Sequence, residues 1–394
     1  MTRRNFLLDL KVERVAPGGD CVAHAPDGRV VFVRGALPGE HVRARVTDEN
    51  KRLLRAETVE VLEASDDRVS PPCALALPGR CGGCDWQHAS VAVGRGLKGQ
   101  VLREQLTRLG GIDPGPVRVE VAPSSPDGLG WRTRVQVSVG RDGARGLLRH
   151  RSHAVERVRQ CPITHPLIDA AGAWRTDGPQ AHKVAHQPRP RVAFAASPTS
   201  GKVVIDDEGT LIHHALGHEF RVTGGGFWQV HPDAPELLAA AVLEALAPRP
   251  GERALDLYAG AGLFSYALAS RGVAVTAVEV VRDAAVDARV NCEGFDVTVH
   301  TGDVGDVLSA TVGVAADLVV LDPPRTGASP EIMRAIAQAG PRAIAYVSCD
   351  GATLARDIRA AADAGYQLQQ LRAFDLFPMT AHLECLALLT PGGA

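Results

Sequence analysis

At 394 residues the chain is too long for one ordinary core, so two or three domains are expected. With 45% apolar and 22% charged residues it reads as globular; no apolar run reaches spanning length and no charged-then-apolar leader opens it, which excludes a helical membrane protein and points to the cytoplasm. The net charge of −2 alone argues against a nucleic-acid partner, but residues 251–394 hold 10 Arg against 17 Asp and Glu, while residues 131–160 hold 8 Arg against 2 acids, a stretch able to cover phosphates or to form a solvated face.

In chain order, residues 5–66 alternate apolar and polar, with turn signals at "PGGD", "PDGR", "LPGE" and "TDEN". The pattern predicts a small OB-like antiparallel barrel of about five strands over 1–66, with Cys21 in its core. "VSPPCALALPGRCGGCDWQHAS" follows as a ligand-bearing linker, with Cys73, Cys81 and Cys84 spaced C-x7-C-x2-C. Cys161, in "RQCPIT", supplies a fourth thiol. In an intracellular chain such cysteines are ligands, nucleophiles or core residues rather than disulfides. Four thiols close an iron–sulfur or a zinc site, and spacing does not choose between them; a C-x-x-C redox pair would leave Cys73 unexplained. A helix is predicted over 91–110. Residues 116–222 read as mostly β, with an irregular stretch near 174–192, so 67–222 forms a central β domain.

After a helix in "PDAPELLAAAVLEALAPRPG" the character changes. From residue 252 the strands "RALDLYA", "VAVTAVEV", "VTVHTGD", "DLVVLDPP" and "RAIAYVSC" alternate with helical segments, and "YQLQQLRAFDLFP" with "HLECLALLT" forms a closing hairpin. Residues 223–394 are thus an α/β domain with a doubly wound parallel sheet. In "ALDLYAGAGLFSYALA", Gly260 and Gly262 let the backbone approach a ligand at a helix amino terminus. Glu279 ends the next strand, where a carboxylate can accept from ribose hydroxyls. A dinucleotide fingerprint would want a third glycine where Ser265 stands. The acidic strand end with Gly-x-Gly resembles the S-adenosylmethionine (SAM) site of class I methyltransferases.

"VVLDPPRTG" places a rigid Pro-Pro loop after a strand and presents Asp322 into the same crevice. Arg325 stands where enzymes that methylate exocyclic amines carry an aromatic, and the loop lacks the cysteine of cytosine-carbon enzymes. A thiol must come from elsewhere, and Cys349, in "AYVSCDGATLARDI", ends the next strand. Carbon 5 of uracil becomes nucleophilic only after a thiolate adds to carbon 6, and a base must then take the carbon-5 proton. Cys349 fits the nucleophile. Glu384, in "FPMTAHLECLALL", fits the base, since a carboxylate among apolar strand residues is costly without a purpose. His382, two residues away, shares its side if the strand is regular there. Cys292 and Cys385 read as packing.

At "FWQVHPDA", "LDLYAGAGLFS", "LDPPRTGAS", "VSCDGATLARDI" and "FPMTAHLE" the sequence resembles the RNA (uracil-5-)-methyltransferase family, which makes 5-methyluridine in tRNA and 23S ribosomal RNA. The resemblance implies that Cys349 is the nucleophile and Glu384 the base. It implies that Asp322 hydrogen-bonds the uracil or sits against the donor, and that Gln229, Tyr258, Glu279 and Asp303 line the SAM pocket. Family members carry Asn where this chain has His231, Leu263 and Asp350. "CGGCDWQHAS" and "RSHAVERVRQCPI" resemble the family's 4Fe–4S domain, which makes Cys73, Cys81, Cys84 and Cys161 the ligands of a structural cluster. The barrel resembles a TRAM domain, an RNA-binding module. The expectation is therefore a SAM-dependent enzyme of structured RNA, tilted toward 23S ribosomal RNA over tRNA, whose barrel and basic 131–160 segment grip the substrate, and a monomer, since nothing suggests a paired interface. A radical-SAM methylthio enzyme would need a C-x3-C-x2-C triad, which is missing. A non-catalytic RNA-binding or ribosome-assembly factor would not need Cys349, Glu384 and Asp322 together.

Overall fold

The computed structural model describes residues 6–179, 191–310 and 315–392; most of the irregular stretch expected near 174–192 lies outside the described residues. Strands β1 (Leu7–Lys11), β2 (Arg14–Val15), β3 (Cys21–His24), β4 (Val30–Arg34), β5 (His41–Glu49) and β6 (Leu53–Glu63) form one curled sheet in the order β1-β5-β6-β4-β3-β2. Alternation along β5 turns Val42, Ala44 and Val46 inward, each fully buried, as is Cys21. The sheet has six strands rather than five, and β4 runs parallel to β6, so it is not wholly antiparallel. The pairing brings the glycine turns of one end over residues 84–86, where the Trp86 indole N–H donates to Gly19 O at 2.9 Å.

Helix α1 (Val91–Gln105) begins at Ser90, whose hydroxyl accepts from Val93 N–H, and passes into a wider π turn over Leu106–Gly110 that ends on left-handed Gly111. After β7 (Val119–Val121), strands β8 (Arg134–Val139), β9 (Arg145–Leu148), β10 (Val155–Arg157), β11 (Arg191–Ser197) and β12 (Lys202–Ile205) make the middle sheet, followed by the hairpin β13 (Thr210–Ala215) and β14 (His218–Thr223). A short helix, α2 (Pro166–Ala170), lies between β10 and β11.

The largest sheet holds eight strands in the order β17-β16-β15-β18-β19-β21-β20-β7. Its parallel part is β15 (Arg253–Leu257), β16 (Ala274–Glu279), β17 (Val297–Thr301), β18 (Leu318–Leu321) and β19 (Ala343–Ser348); β20 (Tyr366–Asp375) and β21 (Glu384–Pro391) are the antiparallel hairpin. Helices α3 (Ala234–Leu246), α4 (Leu263–Ala269), α5 (Arg282–Asn291), α6 (Val304–Ala310), α7 (Pro330–Gln338) and α8 (Gly351–Asp363) cover its faces. Because both faces are covered, β18 is the unbroken apolar run LVVL, all four side chains 0% exposed, each contributing roughly 1.5–3 kcal/mol on burial. Strand order reverses between β15 and β18, which opens a crevice at their carboxyl ends.

Contacts cross residue 222 on both faces of the large sheet. β7 pairs in parallel with β20 in the large sheet, and Leu102, Leu106 and Val119 share a core with Leu354 and Ile358 of α8. On the other face, Phe220 and Val222 of the β13–β14 hairpin share a core with Leu238, Leu268 and Val275.

Candidate active site

Register places the central pair. β19 and β21 run antiparallel with Ser348 opposite Cys385, so one further step sets Cys349 opposite Glu384. β18 lies on the other side of β19, with Leu321 beside Tyr346, so Asp322 leaves its strand at the same edge. Cys349 is half-buried and Glu384 is 3% exposed. The Glu384 Oε1 atom is buried without a hydrogen-bond partner. Burial pushes the Glu384 carboxyl well above its usual range; the charge of Asp322 adds to the rise and Arg325 opposes it. Burial likewise pushes the Cys349 thiol up to about 11, with Glu384 next among the causes and Arg325 opposing. Asp322 is pushed up to about 7 by burial and then by Asp256. The expected nucleophile, base and third carboxylate therefore share one field, a crowding of acids in low dielectric that any partner bringing positive charge would relieve.

The Pro-Pro loop is fixed from behind. Asp357 of α8 accepts from Tyr346 OH at 2.7 Å and from Ala328 N–H at 2.8 Å. Asp350 caps α8 by accepting from Ala352 and Thr353 N–H, which spends the side chain that replaces the family's Asn. His382 lies in the loop ahead of β21, so strand alternation does not govern it; its Nε2 meets Arg325 Nη2 at 3.4 Å.

The glycine turn lies beside this edge. Tyr258 holds φ +64° and Gly260 φ +54°, and a Cβ at Gly260 would meet nothing, so the backbone there faces open space. Gly262 is needed for another reason: at φ +89° it starts α4, and a Cβ would press on Ala288 and Cys292 at 3.2 Å. Glu279 accepts from Gly260 N–H at 2.8 Å and from Val281 N–H at 2.7 Å, so its carboxylate is held in place at the strand end. Beneath the turn Asp256, 0% exposed, accepts from Ser265 Oγ and is pushed up to about 7 by burial. Burial and the charge of Asp303 push the Tyr258 phenol up to about 12, which places Asp303 beside the pocket, but Asp303 Oδ1 is occupied in capping α6 through Gly305 N–H at 2.8 Å. Gln229 is buried ahead of α3, and among the described residues its amide makes no hydrogen bond to Tyr258, Glu279 or Asp303. His231, another replacement for Asn, is fully buried between the Trp131 ring, 6.0 Å away and stacked, and Ser125 Oγ at 2.6 Å.

The matches to known proteins agree with this geometry. Residues 7–59 match the TRAM domain, and residues 313–391 match a family described as tRNA (Uracil-5-)-methyltransferase. An uncharacterized RNA methyltransferase of Streptomyces avermitilis is 45% identical over 97% of this chain and 98% of its own length. The 23S rRNA (uracil(1939)-C(5))-methyltransferase RlmD of Chromohalobacter salexigens is 33% identical over 97% of this chain and 89% of its own. The chain belongs to the RNA (uracil-5-)-methyltransferase family. It is an enzyme that uses SAM. The fold of this methyltransferase also matches the Pyrococcus abyssi tRNA (uracil-54, C5)-methyltransferase, solved with S-adenosyl-L-homocysteine, at a TM-score of 0.71 and 21% identity over 97% of this chain and 99% of that one.

Elsewhere the methyltransferase departs from expectation. The thiols of Cys73, Cys81, Cys84 and Cys161 are neighbours: the charge of Cys73 acts on Cys81, that of Cys81 on Cys84 and Cys161, and that of Cys161 on Cys84, while burial pushes Cys81 and Cys84 up and Cys161 to about 11. Yet among the described residues no three His, Cys, Asp or Glu side chains are gathered so as to hold a metal ion. That holds for the iron–sulfur and the zinc alternatives alike. The basic segment is also less of a surface than its composition implies. Arg145 is 1% exposed, with its guanidinium on the carbonyls of Ala173, Gly178 and Pro179, and Arg149 joins Arg80 on Glu156. Arg141, Arg151, Arg157 and Arg159 are the exposed ones beside Arg149. Among the described residues no helix is long and apolar enough to cross a membrane. Sequence reasoning missed the buried pair Lys98–Asp375, Nζ to Oδ1 2.5 Å, and the Arg34–Asp85 pair at 2.9 Å; a lysine at an inward position of α1 was the only available signal.

Proposed function

We propose that the protein forms 5-methyluridine in structured RNA by a Cys349–Glu384 mechanism. The observation that carries this reading is the strand register that opposes Cys349 to Glu384, together with the unpartnered Oε1 of that buried glutamate. The Cys349 thiolate, which Arg325 favours against the larger opposing effect of burial, adds to carbon 6 of a uracil flipped from its stack. SAM supplies the methyl group that carbon 5 then takes. Glu384 removes the carbon-5 proton; the electron pair of that bond restores the 5,6 double bond as the carbon–sulfur bond breaks and the thiolate leaves. Asp322, near its midpoint at neutral pH, hydrogen-bonds the ring. Glu279, Gly260 and the Tyr258 turn hold the adenosine side of the donor, with Gln229 and Asp303 completing its pocket.

Cys73, Cys81, Cys84 and Cys161 would hold a structural 4Fe–4S cluster. The support for this reading is the likeness of the segments that carry these thiols to the family's cluster domain. The 33% identical RlmD relative favours 23S ribosomal RNA over tRNA, and mapping modified uridines in a deletion strain tests that choice. For the mechanism, Glu384→Gln is expected to trap a gel-stable, methylated protein–RNA adduct, because proton removal follows methyl transfer. No adduct, with turnover lost, counts against Glu384 as the base.

A further inference from the structure

Among the described residues the buried Oε1 of Glu384 has no hydrogen-bond partner. Its position is inherited from the backbone of the 376–383 loop that feeds β21, and that loop is gripped by residues far away in sequence. The Asp85 and Trp86 N–H groups both donate to Met379 O, at 3.0 and 3.1 Å. The Asp85 carboxylate accepts from Ala381 N–H at 2.9 Å through one oxygen and from Arg34 of the barrel at 2.9 Å through the other. The Lys98 ammonium, its side chain 1% exposed, donates to Asp375 at the end of β20 and to Phe377 O at 2.9 Å. A buried ion pair of this kind stabilises weakly against an apolar alternative, yet it fixes one arrangement of the groups it joins. The loop is thus tied at its start by Lys98, and at its middle and end by Asp85. The barrel closes over the tie, since a Cβ at Gly19 would stand 2.8 Å from Asp85 Cβ and 3.2 Å from Ala381.

We propose that Asp85 and Lys98 are positioning residues for Glu384: they hold the 376–383 loop so that the glutamate meets the carbon-5 proton, and they make the base, but not the thiol, dependent on the barrel and the linker. Cys349 needs no such help, because it directly follows the central strand β19 and precedes a helix capped by Asp350. The inference rests on Glu384 being the base.

The two halves of the reaction separate the outcomes. With the full-length protein, a uridine-bearing RNA and labelled methyl donor, single-turnover reactions measure adduct formation and adduct release independently. Asp85→Ala is expected to form the adduct within about twofold of the wild-type rate but to release it about 10–100-fold more slowly, so that methylated adduct accumulates. Lys98→Met should behave in the same way. Asp85→Asn keeps an acceptor for Ala381 N–H and should restore most of the release rate. Equal losses in formation and release, or an unchanged release rate in Asp85→Ala, overturn the proposal. If Asp85→Ala does not fold, Lys98→Met carries the test, and release at the wild-type rate in that variant overturns it. Wild-type transfer that persists in Cys349→Ala removes the thiol mechanism itself, a result distinct from a failure confined to the Asp85 and Lys98 variants.

Discussion

Cys349 and Cys161 both carry thiols that burial pushes up to about 11, yet they sit in opposite company. Cys349 faces Glu384, Asp322 and Asp350, with Arg325 as the opposing cation. Cys161 has other thiols and Arg132 around it and is packed with Trp131 and Ile163. The first neighbourhood crowds carboxyl groups at the carboxyl edge of the sheet; the second gathers like donors within a core. Burial alone therefore does not separate the cysteine proposed to react from the one proposed to be structural. The neighbouring groups do, and they come from strands that are adjacent in space rather than in sequence.

The comparison breaks most sharply at Cys349→Ala, expected to lower methyl transfer by a factor on the order of 10⁴ or more while leaving iron content unchanged, as labelled-methyl and iron assays on one preparation will show. Cys81→Ser is the converse: protein purified without oxygen should lose its iron and brown colour and melt roughly 5–10 °C lower, yet still form some adduct with RNA. Colourless wild-type protein would erase the distinction between the two neighbourhoods. The smallest effect concerns charge at the crevice. Asp256 has a usual value near 3.8 and a folded value of about 7. Between the two the folded chain binds the extra proton, so this contribution is fully present below about 3.8 and is lost as pH rises through about 7. Asp256→Asn should raise the melting temperature at pH 8 by a few degrees and flatten its dependence on pH, measured by thermal melts from pH 5 to 8.

Much of the catalytic half was legible because its strands are buried on both faces. Runs such as LVVL and AIAYVS can be read without knowing their partners, and the residues that follow them fall at one edge by the logic of a parallel sheet. The proposed thiol and base stand out in the sequence because each is an anomaly at a strand terminus. What was not legible is pairing at a distance. The Lys98–Asp375 bond joins residues 277 apart, and a single lysine in a helix carries no mark of its partner. The three residues of β7 are too few to show a period. The arginines of 131–160 look alike in sequence, and only the fold decides that Arg145 turns inward while Arg159 faces water.

The place of β7 at the outer edge of the eight-stranded sheet bears on how the enzyme can be dissected. A fragment begun at residue 223, the boundary that the sequence recommends, would strip β20 of its neighbour and uncover Leu354 and Ile358 where Leu102 and Leu106 had lain. It would then offer a bare row of amide and carbonyl groups to any passing strand, a recipe for self-association. Catalysis and RNA gripping in this protein are accordingly not separable by scissors: the segment that links the two modules is also a wall of the catalytic one.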